Sequence, residues 1–228
     1  MSYKYVEFKI NSSEEAKNLP KLVKLAGSAI LIEELKENYP KLSKDELALE
    51  IKKLHKGKEK EFNKIKSIYE KLWKNVKKDY IKNMEEILDF KIKDKKTGYI
   101  VASIWVNIAD VLGRKNIFIV AAEKQQRPLD FIMMHELTHL YYTDKLASLN
   151  KVEAMKSPLM EGIDHLILFK SPIKKLFKGV RYNELGFVKN NKKFMLELER
   201  AWEDRKDFES FLKKAINVQS KYPDVVMW

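Results

Sequence analysis

The chain has 228 residues, 45% of them hydrophobic and 34% charged, a formal net charge of +12 and no cysteine. The apolar share excludes a disordered chain and the length suits one large domain, while the lack of thiols excludes disulfides, thiolate metal sites and a cysteine nucleophile. The lysines are spread over nearly the whole chain and arginine is confined to Arg114, Arg127, Arg181, Arg200 and Arg205, which argues against a nucleic-acid face and for a solvated, thermophile-like surface.

In chain order, "MSYKYVEFKI" alternates polar and apolar residues and reads as a short strand from Tyr3 to Ile10. It lacks the features of a signal peptide, so a cytoplasmic protein is expected. "NSSEEAKNLP" offers a helix start at Ser12 or Ser13, interrupted at Pro20. The apolar run "LVKLAGSAILIEEL" carries Lys24, Glu33 and Glu34 and is too short to cross a hydrocarbon core, so it is expected to form a buried helix and no membrane association is expected.

A long helical stretch follows, with Ser43 and Glu46 at capping-box spacing and Leu47, Ile51 and Leu54 on one face. Gly57 either breaks it or sits within it, and His55, among lysines, reads as a surface residue. Residues 1–95 thus form a mainly helical N-terminal region. From Tyr99 to Leu112 the sequence is rich in β-branched and aromatic residues; "GRKN" then supplies a turn before "IFIVAAE", a pattern that suggests a β-hairpin.

Pro128 opens the next helix, whose centre is "MMHELTHLYY". "SPLMEGIDHLILF" starts another, with Ser157 as N-cap and Pro158 in its first turn, and "SPIKKLF" repeats the signal at Ser171 and Pro172. A final helical run is expected from Lys192 to Val218. The tail "YPDVVMW" either docks on the core, the favoured reading, or lies in a peptide cleft and keeps the protein latent.

The chemistry concentrates in H-E-x-x-H. Helix positions i and i+4 are about 40° apart around the axis, so His135 and His139 converge on one point. Glu136, about 100° round from His135, reaches a water there rather than the same ion. Met133, Met134, Leu137 and Leu140 make the segment apolar, and two histidines and a glutamate are costly to bury there without a partner such as Zn2+. A catalytic zinc commonly has three protein ligands. Asp144 would point away from His139, whereas "EGIDH" offers Glu161, Asp164 and His165. Glu161 is preferred among these: it lies near the start of its helix, where the dipole favours a carboxylate, and it lowers the charge of an ion otherwise held by neutral imidazoles. Gly162 beside it either admits a close backbone or substrate or serves packing alone.

At these residues the chain resembles the gluzincin metallopeptidases, the zinc peptidases and aminopeptidases of the thermolysin type. Their pattern is H-E-x-x-H followed some twenty residues later by a glutamate ligand, often within E-G-x-A. "HELTH" matches throughout, and "EGID" matches except that Asp164 stands in place of alanine. The resemblance covers residues 116–170 or so. It implies an α+β, zincin-like fold: a small mixed or antiparallel sheet, an active-site helix and a following glutamate helix, with extensive helices at both ends and residues 96–228 as the catalytic region. The strand from Asn116 to Glu123 would then be the edge strand that borders the cleft and accepts an extended substrate.

The resemblance also implies peptide hydrolysis at zinc held by His135, His139 and Glu161, with Glu136 as general base and acid. It assigns Asp164 or His165 to hold the histidine tautomers, and makes Tyr182, which follows the glutamate helix, a candidate to steady the oxyanion. Tyr141 and Tyr142 are alternatives for that last role. The substrate expected is a peptide or protein. Other readings of the same residues are a hydrolase of non-peptide amides and a non-catalytic peptide- or protein-binding module, for which Glu136 would have no use.

Overall fold

Alternating burial from Val6 to Ile10 makes β1 (Val6–Ile10), whose Val6 and Phe8 point into the core. The computed structural model describes residues 5–15, 44–101, 108–109, 116–121, 127–151 and 157–225. The expected apolar helix after Pro20, the Ser43 cap, the "GRKN" turn and the last three residues lie outside them. A helical turn at residues 12–15 follows β1, and its cap is Asn11, not Ser12 or Ser13: the Asn11 side chain accepts from the backbone N–H groups of Ser13 and Glu14.

Helix α1 (Lys44–His55) and helix α2 (Glu59–Leu88) are separate because Gly57 takes φ 95°, a left-handed conformation that only glycine adopts without strain. His55 is buried, contrary to the surface expectation. It follows Ile51 by one turn, on the side of α1 that faces the protein, and its Nε2 lies 2.6 Å from Glu15 Oε2 with its ring against Phe62.

The sheet has the order β1-β2-β4-β3, with β2 (Lys96–Val101), β3 (Ile108–Ala109) and β4 (Ile117–Ala121). β1, β2 and β4 are parallel, in registers that pair Val6 with Lys96 and Thr97 with Ile117. The expected hairpin is present in a shorter form, since β3 and β4, consecutive in the chain, pair antiparallel. The run from Tyr99 is not one strand: its first part lies parallel to β4, and among the described residues Ile108 and Ala109 pair antiparallel with β4, opposite Ile119 and Phe118. A strand covered on both faces reads as a continuous apolar run, and "IFIV" is such a strand, an arm of the short hairpin on one side and parallel to β2 on the other. β4 is also not the edge strand, because β3 covers its outer side.

Helix α2 and helix α3 (Leu129–Ser148) pack on the sheet, and helix α4 (Ser157–Phe169) packs on α3. After a 3-10 turn at Pro172–Leu176, capped as expected by the Ser171 side chain, come a second at Tyr182–Glu184 and helix α5 (Gly186–Asn190). The expected run from Lys192 to Val218 is two helices, α6 (Lys192–Glu203) and α7 (Phe208–Lys221). A capping box formed by Asp207 and Ser210 starts the second one.

One core joins both ends of the chain, with Phe8, Tyr69 and Tyr80 in the same cluster as Phe118, Leu137, Leu166 and Phe211. The described part of the tail docks on it: the Tyr222 ring meets Phe194, and its hydroxyl donates to Glu197. Among the described residues no helix is long and apolar enough to cross a membrane.

Candidate metal centre

Helix α3 buries nearly its whole circumference, which is why its apolar sequence shows little amphipathic period. The turn between its two histidines is tied down from α2. The Tyr80 hydroxyl lies 2.8 Å from Thr138 Oγ1 and 3.2 Å from the Met134 carbonyl, and Thr138 itself donates to that carbonyl. One turn on, the Thr143 hydroxyl donates to the backbone oxygen of His139.

The imidazoles of His135 and His139 meet through their Nε2 atoms, 3.2 Å apart. Glu161, from the facing helix α4, brings Oε1 to 3.8 Å from the first and 3.4 Å from the second. A tetrahedral zinc with bonds of about 2.1 Å has ligand atoms about 3.4 Å apart, so one point about 2.1 Å from all three atoms exists. A divalent cation fits these three donors.

Two other groupings are available, one of His135, Glu161 and His165, and one with Asp164 in place of Glu161 beside His135 and His139. The distances of the latter argue against shared coordination. Asp164 Oδ2 is 2.7 Å from His135 Nδ1, too close for two ligands of one tetrahedral ion and right for a hydrogen bond, although the oxygen stands off the N–H axis; its Oδ1 is 3.9 Å from His139 Nδ1. Asp164 thus lies behind the histidines and Glu161 in front of them. His165 brings Nε2 to 3.9 Å from the other oxygen of Glu161, so the two carboxylate oxygens face different imidazoles. Glu161, Asp164 and His165 share one face of α4 through their spacing of three and four. Gly162 points the opposite way: a Cβ there would meet Leu198 Cδ1 at 2.6 Å and Phe194 at 3.2 Å, so this glycine serves the packing of α6.

Three carboxylates and three imidazoles therefore share a nearly dry space. Burial raises the Glu136 carboxyl to about 7 against the pull of His135 and His139. It raises Asp164 well above the usual carboxylate range, with His139 opposing. Burial would raise Glu161 too, but His135 and His139 outweigh it and hold that carboxylate well below its ordinary value. His165 is pushed down to about 3 by burial and is neutral near pH 7; His139 is lowered by burial but raised more by Asp164 and Glu161. Both oxygens of Asp164 and the Nδ1 atoms of all three histidines lack a well-directed hydrogen bond. Buried polar groups in that condition are costly, and a divalent charge among them offsets the cost.

Tyr182 stands apart from this cluster. Its ring lies against Phe169 and under the Lys170 ammonium, and Glu199 is the carboxylate that acts on its hydroxyl. Asp144 is also elsewhere, paired with Lys96. Sequence reasoning missed Tyr80, which braces the histidine turn, and Phe131, whose ring lies 5.7 Å from that of His135. The apolar period of α2 marks Tyr69, Trp73 and Tyr80 as inward-facing, but periodicity alone does not say which residues they meet.

Compared with family models, curated proteins and solved structures, the chain matches none of them.

Proposed function

We propose that this chain is a zinc-dependent metallopeptidase of the gluzincin kind, with His135, His139 and Glu161 as metal ligands and Glu136 as general base and acid. The observation that carries the reading is the triangle of 3.2, 3.4 and 3.8 Å formed by the three donor atoms, beside a buried glutamate raised to about 7.

Zinc held there would polarise the scissile carbonyl and acidify a water. Glu136 takes the proton of the attacking water and passes it to the leaving amine; a carboxyl that titrates near 7 exchanges protons readily in both directions at neutral pH. Asp164, whose Oδ2 lies 2.7 Å from His135 Nδ1, is placed to hold the proton on that nitrogen and so leave the Nε2 lone pair for the metal, and neutral His165 faces the outer oxygen of Glu161. The low exposure of the site supports a second reading within the same chemistry, hydrolysis of a small non-peptide amide: Glu136 and His139 are each only 4% exposed.

Metal analysis and hydrolysis assays test both. The purified protein should hold about one zinc per chain; His135→Ala should lose it and Glu136→Gln should keep it while losing all turnover. Cleavage of casein or a random peptide mixture supports the first reading, and cleavage confined to small acyl amides the second. Zinc retained by His135→Ala, or turnover by Glu136→Gln, rules out both.

A further inference from the structure

His165 is a buried imidazole to which the chemistry above gives no bond. Its ring lies among three others, 5.6 Å from Phe187, 6.5 Å from Phe169 and 5.7 Å from His135. Among the described residues neither of its nitrogens makes a hydrogen bond: Nδ1 is buried without one, and Nε2 stops 3.9 Å from Glu161 Oε2. A buried imidazole in that condition opposes folding, and a third phenylalanine would suit this aromatic wall without that cost.

Helical spacing accounts for where it stands. His135 and His139 are four apart on α3, and Glu161 and His165 are four apart on α4, which packs against it. Residues four apart share a helix face, so each helix presents two donors to one gap. The first three donors form the triangle of 3.2, 3.4 and 3.8 Å, and His135, Glu161 and His165 each bring a ligand atom within 4.8 Å of the other two. At 3.9 Å the contact between His165 and Glu161 is too long for a hydrogen bond. Two atoms that are each about 2.1 Å from one ion lie about 3.0 to 4.2 Å apart, according to the angle between their bonds. The separation suits shared coordination.

We propose that His165 is a fourth protein ligand of the same ion, through Nε2. The assignment rests on the metal-site reading above and deepens it. Zinc has four protein ligands in its closed sites and keeps an open position in its catalytic ones. With His165 in place the set of four is complete, so water and the scissile carbonyl reach the metal only where His165 gives way. Its role differs from that of Asp164, which approaches the Nδ1 side of His135 and not the Nε2 side. The site is thereby held shut at rest by the side chain one turn beyond its own third ligand.

The test is X-ray absorption at the zinc edge of the zinc-loaded full chain, which counts the imidazoles on the metal whether or not the protein turns over. The wild type should show three and His165→Ala two, and free imidazole added to His165→Ala should restore the third. Zinc affinity, measured against a chromogenic chelator, should fall on the order of 100-fold in His165→Ala, the share of one ligand in four. Turnover per bound zinc should rise in the same variant, because water then meets the metal without displacing a side chain. Two imidazoles in the wild type overturn the role of His165 and leave the hydrolase reading intact. A fall in turnover per bound zinc in His165→Ala overturns the claim that His165 holds the site shut. Three imidazoles in the wild type with no amide cleaved by either form uphold the fourth ligand and overturn the hydrolase reading. A wild type that retains no zinc overturns both.

Discussion

His135 Nδ1 lies 2.7 Å from Oδ2 of Asp164, a carboxylate with no exposed surface on the helix facing the histidines. A carboxylate there sets the imidazole tautomer: with the proton on Nδ1, the Nε2 lone pair is left for the ion. Asp164→Asn preserves size and one acceptor oxygen but replaces the other oxygen with an NH2 group that cannot accept. Zinc affinity, measured by competition with a chromogenic chelator, should fall about 10- to 100-fold. An affinity within twofold of the wild type would show that Asp164 does not govern the ligand.

Glu136 supplies a pH dependence whose sign is definite in the metal-free protein. Its carboxyl is raised from an ordinary 4.5 to about 7, chiefly by burial, so the folded state binds this proton more tightly than the unfolded state. The resulting stability is fully present below about 4.5 and is lost as pH rises through about 7. Glu161 has the opposite sign: His135 and His139 outweigh burial and lower it, so its contribution is present above 4.5 and is lost on acidification. Glu136→Gln should therefore be more stable than the wild type at pH 8, by on the order of 3 kcal/mol, and the gap should close towards pH 4.5. Urea unfolding in the presence of a chelator reads both values. A gap of the same size at both ends of the range would mean that the Glu136 carboxyl is not desolvated.

His135, Glu136 and His139 were legible because helical geometry turns a spacing of four into convergence, and Glu161 because the same geometry limits what a following helix offers. The roles of Asp164 and His165 were not separable from sequence, since they depend on which way each side chain leans across the gap between α3 and α4. Tyr80 lies more than fifty residues before the histidines, and nothing local marks its destination. The same holds for His55, which looked like part of a lysine-rich surface until its partner Glu15 is seen 40 residues away. Helix existence followed from periodicity and caps, whereas strand order depended on long-range pairing: β1 meets β2 across some ninety residues, and two residues of β3 displace β4 from the edge.

Gly98 tests the packing that holds β1, β2 and α2 together. A Cβ at this position would lie 2.5 Å from Phe118 Cζ and 3.0 Å from Phe8 Cδ1. Both atoms belong to rigid buried rings, and Phe8 also carries the stack with Tyr69. Gly98→Ala should cost about 1–3 kcal/mol in chemical denaturation, because two buried rings must shift to admit the methyl. Equal or improved stability would show that the two rings separate freely.

Among the described residues the deepest charge outside the metal centre is Lys96, with no exposed surface; its ammonium lies 2.5 Å from Asp144, 2.8 Å from Asn116 and above the Tyr141 ring. Asp144 follows His139 on α3, so the pair pins β2 to the helix that carries the histidines. Its two members are not equivalent, since the Asp144 side chain retains 13% exposure while Lys96 retains none. Removing the carboxylate takes a counter-charge from a fully buried ammonium, whereas removing the ammonium leaves a carboxylate that water reaches. Asp144→Ala should therefore cost about 3–5 kcal/mol, and Lys96→Met distinctly less. In Asp144→Ala/Lys96→Met most of the loss should be recovered, because the buried ammonium leaves together with its counter-charge. Denaturant midpoints of the four proteins decide it: equal costs for the two single variants would mean that water reaches both charges, and simple additivity in the double variant would mean that the pair is not coupled.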